Sequence, residues 1–158
     1  MATIRELANE LMEVVSKVES FGDRNFSIYN IDELAEVGEG AGYPQVAVGY
    51  EATNPVGNQG MDAGGRPTGP ASAANVNYRF TILVGVEYNW QGEQDSDTKF
   101  TATDLLDQVR SALIGLVGVN SRPWRFIAEG PIDTVVDGVI FYAQIWETTS
   151  VVKGNKLN

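Results

Sequence analysis

The sequence predicts an α+β domain in which a mainly antiparallel sheet of four to five strands is packed by two main helices. Two observations carry this. Tyr78, Phe80, Ile82, Val84, Val86, Tyr88 and Trp90 occupy consecutive even positions, the unbroken period of two that a strand with one buried face requires. Two other stretches repeat their apolar residues at three- and four-residue steps, the signature of helices with one apolar stripe. Together the patterned segments give the order α-β-β-long loop-β-α-β-β.

The first helix is expected over about residues 3 to 19, where Ile4, Leu7, Ala8, Leu11, Met12, Val15 and Val18 form the stripe. After Gly22, residues Asn25 to Ile31 form a short strand, and Asp32 caps a possible turn through Val37, ended by glycines at 38, 40 and 42. A second strand, Gln45 to Glu51, follows Pro44 and places Val46, Val48 and Tyr50 on one face. Residues Thr53 to Asn77 hold five glycines, three prolines and no aromatic residue. This stretch predicts a long loop at 53–77 that contributes nothing to the core and orders against a partner. Its larger anchoring side chains are Val56, Met61 and Arg66.

Beyond the long strand, a polar loop from Gln91 to Lys99 leads to Thr101 and Asp104, spaced as in a capping box with Asp in place of Glu. A second helix starts there with the stripe Ala102, Leu105, Leu106, Val109, Ala112, Leu113 and Leu116, and Gly118 is its expected stop. Trp124 to Glu129 and Val139 to Thr149 form a closing antiparallel pair, with Asp137-Gly138 as turn residues. The last strand is apolar on both faces. Val139, Phe141, Ala143 and Ile145 line one, while Ile140, Tyr142 and Trp146 line the other. A helix is expected over one face and a neighbouring subunit over the other, which makes Tyr142 and Trp146 interface candidates beside Val56, Met61 and Arg66. The three tryptophans are read first as core. Residues 152–158 are expected to fray. The 158 residues make one domain, 1–158, large enough to bury about two thirds of the unfolded surface.

Composition narrows the chemistry. There are 11 Lys+Arg against 21 Asp+Glu, a formal charge of −10, which disfavours specific nucleic-acid binding because that affinity comes from cations on phosphates. With no Cys and no His, disulfides, thiolate metal sites, Ser-His and Cys-His nucleophiles and nearly all zinc sites are excluded. Neither the first twenty residues nor any later stretch is apolar enough for a signal peptide or a membrane span of about 18 residues.

The remaining chemical candidates are carboxylates. Glu93, Asp95 and Asp97 alternate as hard-cation ligands can, yet the EF-hand positions for Gly and Glu counted from Asp95 hold Phe100 and Leu106. Asp133 and Asp137 could pair for acid-base work, but they flank a hairpin tip where water keeps carboxylates ordinary. Gly-Glu-Gly at 38–40 and Gly-Gly at 64–65 lack the strand-and-helix context of phosphate loops. No catalytic residue, cofactor or metal site is therefore expected.

Three phrases carry a resemblance: Asn-Ile-Asp-Glu-Leu-Ala at 30–35 with Tyr-Pro-Gln-Val-Ala-Val at 43–48, Arg-Pro-Trp-Arg-Phe-Ile at 122–127, and Asp-Gly-Val-Ile-Phe-Tyr-Ala at 137–143. In these, and in element order over about 3 to 149, the chain resembles the small tail terminator (tail-completion) proteins of Mu-like contractile-tailed bacteriophages. It departs from them in a longer, more Gly-rich loop at 53–77. The resemblance implies a structural virion protein, assembled in the host cytoplasm, that forms a homohexameric ring on the head-proximal end of the tail tube. Such a ring stops tube polymerisation and joins tail to neck, with the tube, neck or connector, and sheath proteins as partners. DNA would pass through it, and an acidic lumen would offer that DNA no sticky surface. Another ring-forming neck or head-completion adaptor is the alternative, and a carboxylate-based hydrolase the remote one.

Overall fold

A computed structural model describes residues 2–28, 33, 40–56, 73–87, 96–133 and 138–153, with the side chains of 73 and 96–101 outside the description. Helix α1 spans Ile4–Ser16 and is followed by a short 3-10 turn at Glu19–Phe21. The strands are β1 (Asn25–Ile28), β2 (Gln45–Pro55), β3 (Ala73–Glu87), β4 (Arg125–Ile132) and β5 (Val139–Lys153), and helix α2 (Ser96–Leu113) lies between β3 and β4. They form a five-stranded sheet in the order β1-β2-β3-β5-β4. Among the described residues, β1 and β2 pair in parallel and the other neighbouring strands pair antiparallel. The α+β class and the β4–β5 pairing are as the sequence predicts.

The reasons are local. Thr3 and Glu6 form a capping box at the start of α1, each side chain bonding the other's backbone N–H. This satisfies two donors that a helix start leaves open. Leu7, Leu11 and Val15, one turn apart, are fully buried against the sheet. On β3 the alternation predicted from 78 holds, since Tyr78, Phe80, Ile82, Val84 and Val86 all enter the main core beneath the helices. Ala102, Leu105, Leu106, Val109 and Leu113 of α2 close that core from above. On the opposite face a smaller cluster joins Ile28, Ala47, Leu83, Val139 and Phe141.

Several boundaries differ from the sequence expectation. The glycine- and proline-rich stretch is not all loop: Thr53, Asn54 and Pro55 pair with Tyr78, Asn77 and Val76, and β3 begins at Ala73. Val76 also packs against the main core. Pro55 is tolerated because β1 pairs with β2 only as far as Gly49, so beyond that point one side of β2 needs no N–H. Helix α2 starts at Ser96, five residues before Thr101. The helix ends at Leu113 because Gly115, at φ 78°, takes the left-handed turn; Gly118 is not the stop. Trp124 precedes β4 rather than lying in it, although it is buried and edge-stacked on Phe80 at 5.6 Å. Val152 and Lys153 are not frayed, since they pair with Ala74 and Ala73. The expected turn after Asp32, the glycines 38, 64 and 65, Trp90 and residues 154–158 fall outside the described residues.

Candidate functional site

Strand register decides which predicted interface residues reach a surface. Phe80 pairs with Trp146 and Val84 with Tyr142, and residues that pair across a ladder share a face. Both therefore lie on the helix-covered side. Trp146 is fully buried, edge-stacked on Phe126 at 5.4 Å, and donates from Nε1 to Gln144 Oε1 at 3.0 Å. Trp146 is thus a core residue and not a surface anchor, and Tyr142 is half-buried against the same cluster. Gln144, also fully buried, donates to Leu106 O at 2.9 Å and Glu129 Oε1 at 2.7 Å. Glu129 in turn holds Arg110 of α2 at 2.7 Å. The column ties α2 to β5 and β4.

The other face of β5 is the one left partly open. At one end the ring of Tyr43 covers Phe141 edge-on at 6.5 Å. Toward the other end the face turns polar. Glu147 Oε2 accepts from Arg79 at 3.1 Å and Oε1 from Arg125 at 2.8 Å, with the Glu147 side chain only 9% exposed. Arg125 also donates to Asn77, which accepts from Thr149 as well. This cluster laces β3, β5 and β4 together on the face turned away from α1 and α2. A nearly buried carboxylate is tolerated because two guanidinium groups hold it.

Beside this cluster, at the end of the sheet where α2 leaves and β4 begins, residues 114–124 form a held loop. Val117 and Pro123 make an isolated bridge, and Gly118 N–H donates to Arg122 O. Glu10 of α1 reaches across: Oε2 accepts from Val119 N–H at 2.9 Å and Oε1 from Trp124 Nε1 at 3.0 Å. A Cβ on Gly118 would sit 2.2 Å from Glu10 Oε1, so a side chain there would push the Glu10 carboxylate aside. The loop presents Ile114, Val117 and Val119 at 59%, 62% and 60% exposure.

Two grooves meet at this end. One, of about 330 Å³, is lined by Val56, Asn75, Arg122, Pro123, Arg125 and Thr149. The second, of about 640 Å³, shares Arg122 and runs past Ala2, Val119, Ser150, Val151 and Lys153. Of the predicted anchors, Val56 lies here, while Met61 and Arg66 fall outside the described residues. Sequence reasoning missed Glu10, Ile114, Val117, Val119 and Arg122. The available signal was Leu-Val-Gly-Val at 116–119, an apolar run beyond a helix-stopping Gly115.

Asp133 is exposed just past β4. Asp137, Glu93 and Asp95 fall outside the described residues, as does the side chain of Asp97, so neither carboxylate reading is placed. Among the described residues, Tyr43, Tyr78 and Arg110 have displaced proton affinities. Burial raises both phenols above their usual range, assisted by Glu87 at Tyr43 and by Tyr50 at Tyr78. Asp107 and then Glu129 raise the Arg110 guanidinium further by hydrogen bonding. None of these lines the two grooves.

No family model matches the chain, and no curated protein matches it. A solved structure described as the virion of a native gene transfer agent particle contains a chain of similar fold, with a TM-score of 0.59 and 14% identity over 97% of this chain and 98% of that one. The likeness is one of fold, carried over nearly the whole length of both.

Proposed function

We propose that this chain is a structural virion protein of a phage-like particle and, more finely, a tail terminator. It forms a ring, by resemblance a hexamer, on the head-proximal end of the tail tube, stops tube growth and joins tail to neck. The observation that carries the reading is the near-complete mutual coverage with a chain from a virion. The residue resemblance at 122–127 and 137–143 supports the finer role. The lack of His and Cys supports a non-enzymatic one, since the commonest general base and the strongest side-chain nucleophile are missing.

The test is imaging of the purified protein, alone and with tail tubes, by electron microscopy. A closed ring at one tube end, with tubes of uniform length only when the protein is present, is the expected result. Binding at the head portal in place of the tube would favour a neck adaptor. Hydrolytic activity abolished by Asp133→Asn would replace the structural reading altogether.

A further inference from the structure

We infer that the end of the molecule carrying the two grooves divided by Arg122 is a docking surface for a second copy of this chain, joined head to tail. The inference rests on the assembly reading above and names the surface that performs it.

Charge selects the occupant. The chain has 21 carboxylates and 11 cations, yet among the described residues the two grooves are lined by Arg122, Arg125 and Lys153 and by no carboxylate. Arg125 is half exposed although it also holds Glu147, so its guanidinium still adds to the potential of the groove. A cationic concavity on a strongly acidic chain is complementary to the remainder of the same chain, and complementarity of this kind guides encounter and excludes wrong registers. The surface is not complementary to itself. A two-fold contact would set Arg122 and Arg125 of one copy near those of the other, so the contact is heterologous, the class that closes into rings.

Packing supplies the adhesion. Val56, Val119 and Val151 stand on the rims, and Ile114 and Val117 extend the apolar surface along the held loop. A cluster of this kind, rimmed by polar groups, marks an interaction surface. It is also preorganised. The Val117–Pro123 bridge and the two bonds from Glu10 fix the loop before any partner arrives, which removes ordering entropy from the cost of association. Nucleic acid is the less suitable occupant, because the valine rims offer nothing to phosphates and the rest of the chain repels them.

The experiment is sedimentation velocity on the full chain, parent against Arg122→Glu and Val119→Asp, over a concentration series. Both positions are exposed, and circular dichroism with thermal melting checks that each variant folds as the parent does. The parent is expected to self-associate. Each variant should weaken association at least tenfold, and raising salt from about 0.1 to about 1 M, which shortens the Debye length from about 10 to about 3 Å, should weaken the parent as well. A parent that stays monomeric at every concentration and on tail tubes overturns the inference, as do folded variants that assemble like the parent. Parent binding to a short DNA duplex that Arg122→Glu abolishes, with assembly unchanged, would give the surface to nucleic acid. If the parent caps tubes and the variants do too, the terminator reading stands and this surface is wrong. If the parent caps nothing yet self-associates in an Arg122-dependent way, the surface stands and the terminator reading fails.

Discussion

Single residues carry much of the specificity of this sheet. Gly85 lies opposite Phe141 in the β3–β5 ladder, and a Cβ there would meet the Phe141 ring at 2.4 Å. Phe141 is 1% exposed and edge-stacked on Tyr43, so the ring has no open space to move into. Gly85→Ala is expected to destabilise the fold by about 1–3 kcal/mol, the usual cost of forcing extra volume into a packed site; a denaturant midpoint equal to the parent's would show that the ring gives way freely. The two raised phenols set a pH dependence. The folded chain favours protonated Tyr43 and Tyr78, whereas the unfolded chain ionises them near the ordinary value of about 10. Their contribution is complete below that value and is lost as pH rises through the higher folded values. Denaturation midpoints measured from neutral pH to about 11 should therefore fall at the alkaline end, and fall less in a Tyr43→Phe, Tyr78→Phe double variant. An identical alkaline decline in both proteins would assign it to other groups.

At the scale of elements, what was legible depended on whether a signal was local. The even-numbered apolar run of β3 and the stripes of both helices come from periodicity, which burial on one side imposes directly on the sequence. The arms of β2 and β3 were not legible, because Asn54, Pro55, Ala73, Ala74, Asn75 and Asn77 are weak strand formers that outnumber Thr53 and Val76 and take a strand conformation by pairing across the sheet. The face assignment of Trp146 was open for a related reason: a strand apolar on both sides does not say which side the helices cover. Nor could the sequence reveal that the 114–124 loop is held, since its order depends on Glu10, a residue more than a hundred positions away. That dependence is testable. Glu10→Ala removes both acceptors, leaving the Val119 N–H and Trp124 Nε1 to find others, at a cost of about 1–3 kcal/mol. The melting temperature should drop, and chymotrypsin should cut after Trp124 faster than in the parent. An unchanged cleavage rate would mean that the Val117–Pro123 bridge holds the loop unaided.

For the whole molecule, the assembly reading makes one end of the sheet the working end. The β2–β3 arm ends there, Val56 lines the groove with Arg122, and the Gly- and Pro-rich residues 57–72 connect the arm's two strands. Those residues contain Met61 and Arg66, the remaining predicted anchors. A connection of two residues is enough to join antiparallel strands, so the fold itself does not call for sixteen, and each additional residue ordered costs about 1–2 kcal/mol unless contacts offset it. Replacing 57–72 with a short Gly-Ser linker is therefore expected to leave the sheet and both helices in place, with a circular dichroism spectrum and melting temperature close to the parent's. Self-association and tube capping should weaken, because the segment is attached at Val56, which lines the groove, and carries the predicted anchors Met61 and Arg66. Boundaries matter to the design: a wider cut through Pro55 and Ala74 would remove ladder pairs at Val76 and Val152 and confuse lost assembly with lost folding. A shortened protein that forms rings and caps tubes as well as the parent would identify the segment as a tolerated insertion and leave docking to the held loop and its two grooves.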